Sequence, residues 1–235
     1  IKLINYHLES GTNGVVPGGT TGESPTLSHN EHKKIIEIAV KECKGKIPVI
    51  AGTGSNSTDE AIELSKFAEK AGSDALLVVT PYYNKPTQEG LYQHYKKIND
   101  SVGIPIIIYN IPSRSVIDMS VDTMSKLYEL KNIKGVKDAT GDLNRVDQQL
   151  KSMGKEFIQL TGNDDNALEF NKRGGAGAIG VTANIAAKLS SDFQKACRED
   201  IDKASKLDQL LQPLHTSLFI ESNPSPVKYA ASLLG

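Results

Sequence analysis

Seven short runs of aliphatic and β-branched residues punctuate this chain, and a segment of helical character follows most of them. The runs are Gly14–Pro17, Ile47–Ala51, Ala75–Thr80, Ile104–Tyr109, Ile133–Lys137, Phe157–Leu160 and Gly177–Val181. Near-continuous apolar sequence such as Ile104–Ile108 suits strands buried on both faces, which is the condition of a parallel sheet. The order strand, helix, strand, helix therefore predicts a parallel α/β architecture.

Local signals delimit the helices. Ser28 with Glu31 and Ser57 with Glu60 both have the spacing of a capping box, in which a hydroxyl and a carboxylate satisfy the first backbone donors reciprocally. After the second pair, Ala61, Leu64 and Ala68 recur on one helical face, and Gly72 stands where a left-handed cap ends a helix. At the start of the chain, Ile1, Ile4 and Leu8 have helical spacing with no capping residue before them. That pattern predicts the second half of a helix whose beginning precedes Ile1.

Seven strand–helix repeats without a low-complexity linker predict one domain over residues 1–235, folded as a (β/α)8 or TIM barrel. Such a barrel has about 250 residues, so its first strand and part of its first helix are expected to lie before Ile1. A doubly wound open sheet is the competing architecture, but no run is followed by a G-x-G-x-x-G fingerprint. The formal net charge of −1, with both signs scattered, offers no basic stripe for nucleic acid. No apolar run reaches membrane-spanning length. Cys43 and Cys197 form no CxxC pair and read as free thiols of a reducing compartment, so a cytoplasmic location is expected. Among five histidines only His29 and His32 are close in sequence, without an obvious third ligand, so no metal site is expected.

In a barrel the chemistry lies at the carboxyl ends of the strands and in the loops after them. With period two, Ile133, Gly135, Lys137 and Ala139 are expected on one face, which places Lys137 near the end of a buried strand. A buried ammonium is costly unless paired, and the neutral amine is what attack on a ketone requires. Pairing with Asp138, or a side chain that reaches solvent, is the structural alternative. Tyr109 ends the most apolar strand, where its hydroxyl is either an ordinary buried donor or an acid/base group. In the loop Gly18–Ser24, the adjacent hydroxyls of Thr20 and Thr21 and glycine-exposed N–H groups can hold a carboxylate and pass a proton.

The segments GTTGES (Gly19–Ser24), VTPYYNKPTQEGLYQHY (Val79–Tyr95), YNIPSR (Tyr109–Arg114) and GVKDATG (Gly135–Gly141) stand in an order and spacing that resembles the dihydrodipicolinate synthase family. TGNDD (Thr161–Asp165), VTANIAA (Val181–Ala187) and NPSPVKYA (Asn223–Ala230) extend the resemblance over essentially the whole chain. It implies a metal-independent, cofactor-free lyase that condenses pyruvate with L-aspartate 4-semialdehyde to 4-hydroxy-tetrahydrodipicolinate, in lysine and diaminopimelate biosynthesis. Lys137 would form the imine, and Tyr109 would be its acid/base. Thr21 would link Tyr109 to Tyr83 in a proton relay, with Tyr83 donated across a dimer interface. Thr20 and Thr21 would contact the pyruvate carboxylate, Arg114 would bind the semialdehyde carboxylate, and Gly162 and Ile179 would line the pocket. The resemblance also implies a homotetramer built as a dimer of dimers, and a C-terminal helical region continuing past Gly235.

Ser24, Pro25, His29, His32, Asn56, Glu60 and Tyr82 match the family's allosteric site for L-lysine. Pro17-Gly18 and Pro25 depart from the usual residues at their positions. Two other readings remain at this point. A sister pyruvate aldolase such as N-acetylneuraminate lyase would share Lys137 and Tyr109, although Arg114 and the Thr20-Thr21 pair favour the synthase. A non-catalytic barrel would have no use for Lys137, Tyr109 and Tyr83 together.

Overall fold

In a computed structural model, which describes all of residues 1–235, six parallel strands form one sheet: β1 Ile50–Gly52, β2 Ala75–Val79, β3 Ile106–Asn110, β4 Ile133–Asp138, β5 Ile158–Thr161 and β6 Gly177–Ala178. Their spatial order is their sequence order, β1 to β6, with every pairing parallel. A doubly wound sheet reverses direction at a switch point; this one does not. The run Gly14–Pro17 contributes a single parallel bridge, Val15 to Val49, in place of the expected full strand. Backbone bonds from Ile50 N to Val15 O and from Gly52 N to Pro17 O nevertheless keep it in a seventh strand position beside β1.

The helices are α1 Lys2–Glu9, α2 His29–Cys43, α3 Thr58–Ala71, α4 Gln88–Asn99, α5 Pro112–Ser115, α6 Val121–Tyr128, α7 Asn144–Met153, α8 Ala167–Lys172, α9 Ala187–Glu199, α10 Ile201–Ser217 and α11 Ser225–Leu234. The capping box at Ser28 and Glu31 is complete. The second forms by half: Ser57 accepts from Glu60 N, but the Glu60 carboxylate turns to Ser55 and His29 instead. Gly72 caps α3 at φ 98°.

Alternation along the strands sorts two apolar layers. Leu76, Val78, Ile106 and Ile108 face outward onto Ile36, Ala61, Leu91, Tyr95, Ile98 and Met124 of the helices. Leu77, Ile107 and Tyr109 face inward with Val16, Ile50, Val79, Ala139 and Ile179. Each fully buried large apolar side chain contributes about 1.5–3 kcal/mol, so the helix–sheet layer carries most of the fold. Tyr95 adds direction to it, donating from its hydroxyl to Val78 O at 2.7 Å. The curl is completed through the helices: α1 packs against α9, Ala187 N donates to the Tyr6 hydroxyl at 2.9 Å, and Ser191 Oγ donates to Gly11 O at 2.6 Å. This is the barrel architecture that the repeats predict.

One expectation about β4 fails. Ile133 belongs to the outer layer, not to the face of Lys137. The β3–β4 register runs Ile106 to Ile133 and then Ile107 to Gly135, so exposed Lys134 is an extra residue that breaks the period of two. Gly135 follows because the backbone of β5 is too close for a side chain: a Cβ there would lie 2.1 Å from Ile158 O. Gly135→Ala must push β4 away from β5, and overpacking of this kind costs about 1–3 kcal/mol. Chemical denaturation should show that loss, while Lys134→Ala stays within about 0.5 kcal/mol of the parent. An unchanged midpoint for Gly135→Ala would mean the two strands do not approach this closely.

Candidate active site

The register of β3 against β4 places Tyr109 beside Lys137 and Asn110 beside Asp138. Lys137 is 9% exposed, and its Nζ lies 4.2 Å from the centroid of the Tyr109 ring. The side chain thus lies over the face of that ring. The pairing with Asp138 does not form, because Asp138 is committed elsewhere, to Arg145 Nε at 2.8 Å, Gln149 Nε2 at 3.1 Å and the Thr140 hydroxyl at 2.6 Å. Removing one partner of a buried pair such as Asp138–Arg145 typically costs about 3–5 kcal/mol, so Asp138 is not available to Lys137.

Room for the lysine stem comes from β5. Gly162 N donates to Asp138 O at 2.8 Å, and a Cβ on Gly162 would stand 3.0 Å from Lys137 Cε. Gly162 thus acts by its lack of a side chain, its N–H being used within the sheet. Ile179 likewise spends its N–H on Thr161 O at 2.9 Å and presents its side chain to the inner layer around Tyr109.

The Gly18–Ser24 loop distributes its hydroxyls differently from expectation. Thr20 Oγ1 is the one that meets the Tyr109 hydroxyl, at 3.4 Å. Thr21 Oγ1 instead accepts from Asn223 Nδ2 at 3.0 Å. Neither threonine's N–H donates to another backbone carbonyl, which leaves both for a carboxylate. Arg114, on α5, donates from Nη2 to Asn223 O at 2.9 Å. Asn223 therefore joins the threonine loop to the arginine through its side chain and its carbonyl, a role that sequence reading missed even though it heads the NPSPVKYA segment.

All four non-glycine residues with positive φ lie in loops at this carboxyl end: Glu23 at 55°, Tyr83 at 73°, Lys85 at 47° and Val116 at 67°. Each such conformation costs on the order of 1–3 kcal/mol and persists where the surroundings impose it. Tyr83 is 88% exposed, and no hydrogen bond joins it to Tyr109 or Thr20 within the chain.

The second candidate cluster is brought together in part. His29 Nε2 and Glu60 Oε1 are 2.7 Å apart, Asn84 Nδ2 donates to Asn56 O at 3.0 Å, and Ser24 and Pro25 lie in a short 3-10 turn. Tyr82 is half-buried and stands two residues before Asn84 in sequence. His32 does not join the exposed rim. Its ring turns inward, with Nε2 2.7 Å from Gly52 O, because position four of α2 faces the sheet. No group of three His, Cys, Asp or Glu side chains is arranged to hold a metal, and no helix is long and apolar enough to cross a membrane.

The whole chain, residues 1–235, matches the Dihydrodipicolinate synthetase family. The 4-hydroxy-tetrahydrodipicolinate synthase of Pelagibacter ubique (strain HTCC1062) is 72% identical over 239 residues, an alignment that takes in 100% of this chain and 82% of that protein. Among solved structures, the dihydrodipicolinate synthase of Acinetobacter baumannii complexed with pyruvate superposes with a TM-score of 0.97 at 48% identity, covering 100% of this chain and 81% of the other. The enzyme from Cyanidioschyzon merolae with lysine bound gives 0.95 at 34% identity, covering 100% and 80%.

Proposed function

Since the chain belongs to the dihydrodipicolinate synthetase family, its reaction is the condensation of pyruvate with L-aspartate 4-semialdehyde to 4-hydroxy-tetrahydrodipicolinate, and we propose that Lys137 carries that reaction as a Schiff base. The observation that supports this most is a buried lysine with no carboxylate partner, seated on the face of a strand-end tyrosine. Lys137 Nζ attacks the ketone carbon of pyruvate, and loss of water gives the imine. The protonated imine draws electrons from the methyl group, which releases a proton to become an enamine. The enamine carbon bonds to the aldehyde carbon of the second substrate. The amino group of that substrate then attacks the imine carbon and expels Lys137, closing the ring.

Tyr109 serves as acid/base beside the imine, and Thr20, not Thr21, is the neighbour able to pass its proton. The N–H groups of Thr20 and Thr21 hold the pyruvate carboxylate. Arg114 receives the semialdehyde carboxylate with the nitrogens that Asn223 leaves free, since a guanidinium fork suits a carboxylate. Residues 1–235 act in this reaction as a single domain. The free thiols Cys43 and Cys197 suit a reducing cytoplasm.

Treatment with borohydride and pyruvate should fix a reduced pyruvyl adduct on Lys137, found by peptide mass mapping, and Lys137→Ala should show none. Arg114→Ala should leave that trapping intact while raising KM for the semialdehyde roughly 10- to 100-fold, the loss of a charged hydrogen bond. No adduct on Lys137 would overturn the assignment.

For the relay, Tyr83 completes the path from a second copy, in a tetramer made of two such dimers. Thr20→Val should then lower kcat roughly 100-fold, with a smaller effect for Thr21→Val. Mixed Tyr83→Phe and Lys137→Ala protomers should recover activity that neither has alone. A fully active isolated monomer would refute a part for Tyr83 in trans.

Regulation by L-lysine is assigned to His29, Glu60, Asn56, Tyr82, Ser24 and Pro25, with His32 as support from below. The Glu60 carboxylate is the anionic centre for an ammonium group. Inhibition should be partial and not relieved by excess pyruvate, because the site is distinct from Lys137 and the coupling is reciprocal in binding free energy. Glu60→Thr should abolish it; inhibition that persists in that variant would exclude this site.

A further inference from the structure

Lys137 and Tyr109 project to the inside of the sheet, and the residues that follow them, Asp138 and Asn110, project to the outside, where both enter one polar cluster. Asn110 is fully buried; its Nδ2 donates to Asp118 Oδ1 at 2.7 Å, and its Oδ1 accepts from Met119 N at 3.0 Å. Arg145, at the start of α7 and 8% exposed, spans the gap between the strands. Its Nε donates to Asp138 Oδ2 at 2.8 Å, its Nη2 to Met119 O at 2.7 Å, and its Nη1 to Asp118 Oδ2 at 3.4 Å. One guanidinium thus grips β4 through Asp138 and, through the Asp118–Met119 segment, the side chain that ends β3.

We propose that Arg145 is a positioning residue for the reaction, holding Tyr109 and Lys137 at their working separation through Asp138 and Asn110. The proposal rests on the Schiff-base reading of Lys137. If the pair served only to pin α7 onto the sheet, the bonds from Arg145 and Gln149 to Asp138 would suffice. The bonds on the β3 side have no part in that task. They connect the two residues whose inward neighbours must meet across the substrate, and a misplacement of about 1 Å there can cost on the order of 100-fold in rate. A planar fork can serve both strands at once, whereas a lysine ammonium is a point charge.

The experiment follows the rate and the final extent of pyruvate–borohydride trapping, together with Tm, in the wild-type chain, Arg145→Gln, Arg145→Lys and Asp118→Ala. Arg145→Gln is expected to reach full trapping roughly 10- to 100-fold more slowly, with kcat falling and KM for pyruvate little changed. Arg145→Lys should recover thermal stability without recovering the rate. Asp118 lies half exposed, so Asp118→Ala should fold normally and still slow trapping, which keeps the test decisive if the Arg145 variants do not fold. Normal trapping rates in the folded fraction of every variant, with only Tm or extent reduced, would show a purely structural pair and overturn the proposal. Failure of the wild-type chain to trap on Lys137 would instead remove the Schiff-base reading itself.

Discussion

The parallel ladder between β3 and β4 is the constraint on which the rest depends. Its register sets Tyr109 against Lys137 and, one step on, Asn110 against Asp138. Because successive residues of a strand point to opposite faces, one register produces two outcomes. The inner face receives the amine and the ring, and the outer face receives the polar cluster around Arg145. Lys134 stands outside the alternation of β4, whereas as an ordinary paired residue it would put Ile133 and Lys137 on one face. Gly135 and Gly162 then let β5 close in, the first against Ile158 O and the second against the lysine stem.

Charge is distributed so that the amine stays without a counter-ion. Asp138 is adjacent in sequence, yet its carboxylate faces away and is filled by Arg145, Gln149 and Thr140. The group that faces Lys137 Nζ is the Tyr109 ring, with its centroid 4.2 Å away. Conformational strain is concentrated in the same region. Glu23, Tyr83, Lys85 and Val116 all take positive φ in loops at the carboxyl ends of strands, while the strands and most helix caps keep ordinary geometry. The helix–sheet layer, by contrast, is tightly packed, with Leu91, Tyr95, Ile98 and Met124 fully buried.

Much of this was legible in the chain before any coordinates. Six of the seven strand runs fall within a few residues of the observed strands, the Ser28–Glu31 box forms in full, and Gly72 ends its helix as expected. These are properties of neighbouring residues, decided by periodicity, capping and the left-handed tolerance of glycine. The Ser57–Glu60 box shows where such reasoning stops: Ser55 and His29 outbid the local partner for the Glu60 carboxylate. His32 shows the same limit, because its spacing from His29 says nothing about which side of α2 the sheet covers.

The sequence by itself therefore determined the order of elements, the parallel architecture, and the identity of the lysine and tyrosine near the ends of two strands. Only the tertiary structure decided which hydroxyl of the Thr20-Thr21 pair reaches Tyr109, that Asn223 joins Thr21 to Arg114, and that Arg145 spans two strands. The reason is distance along the chain. Thr20 and Tyr109 lie 89 residues apart, and Asn223 and Thr21 lie 202 apart. Contacts at such separations are fixed by the curl of the sheet and the packing of its loops, and no periodicity of a single segment encodes them.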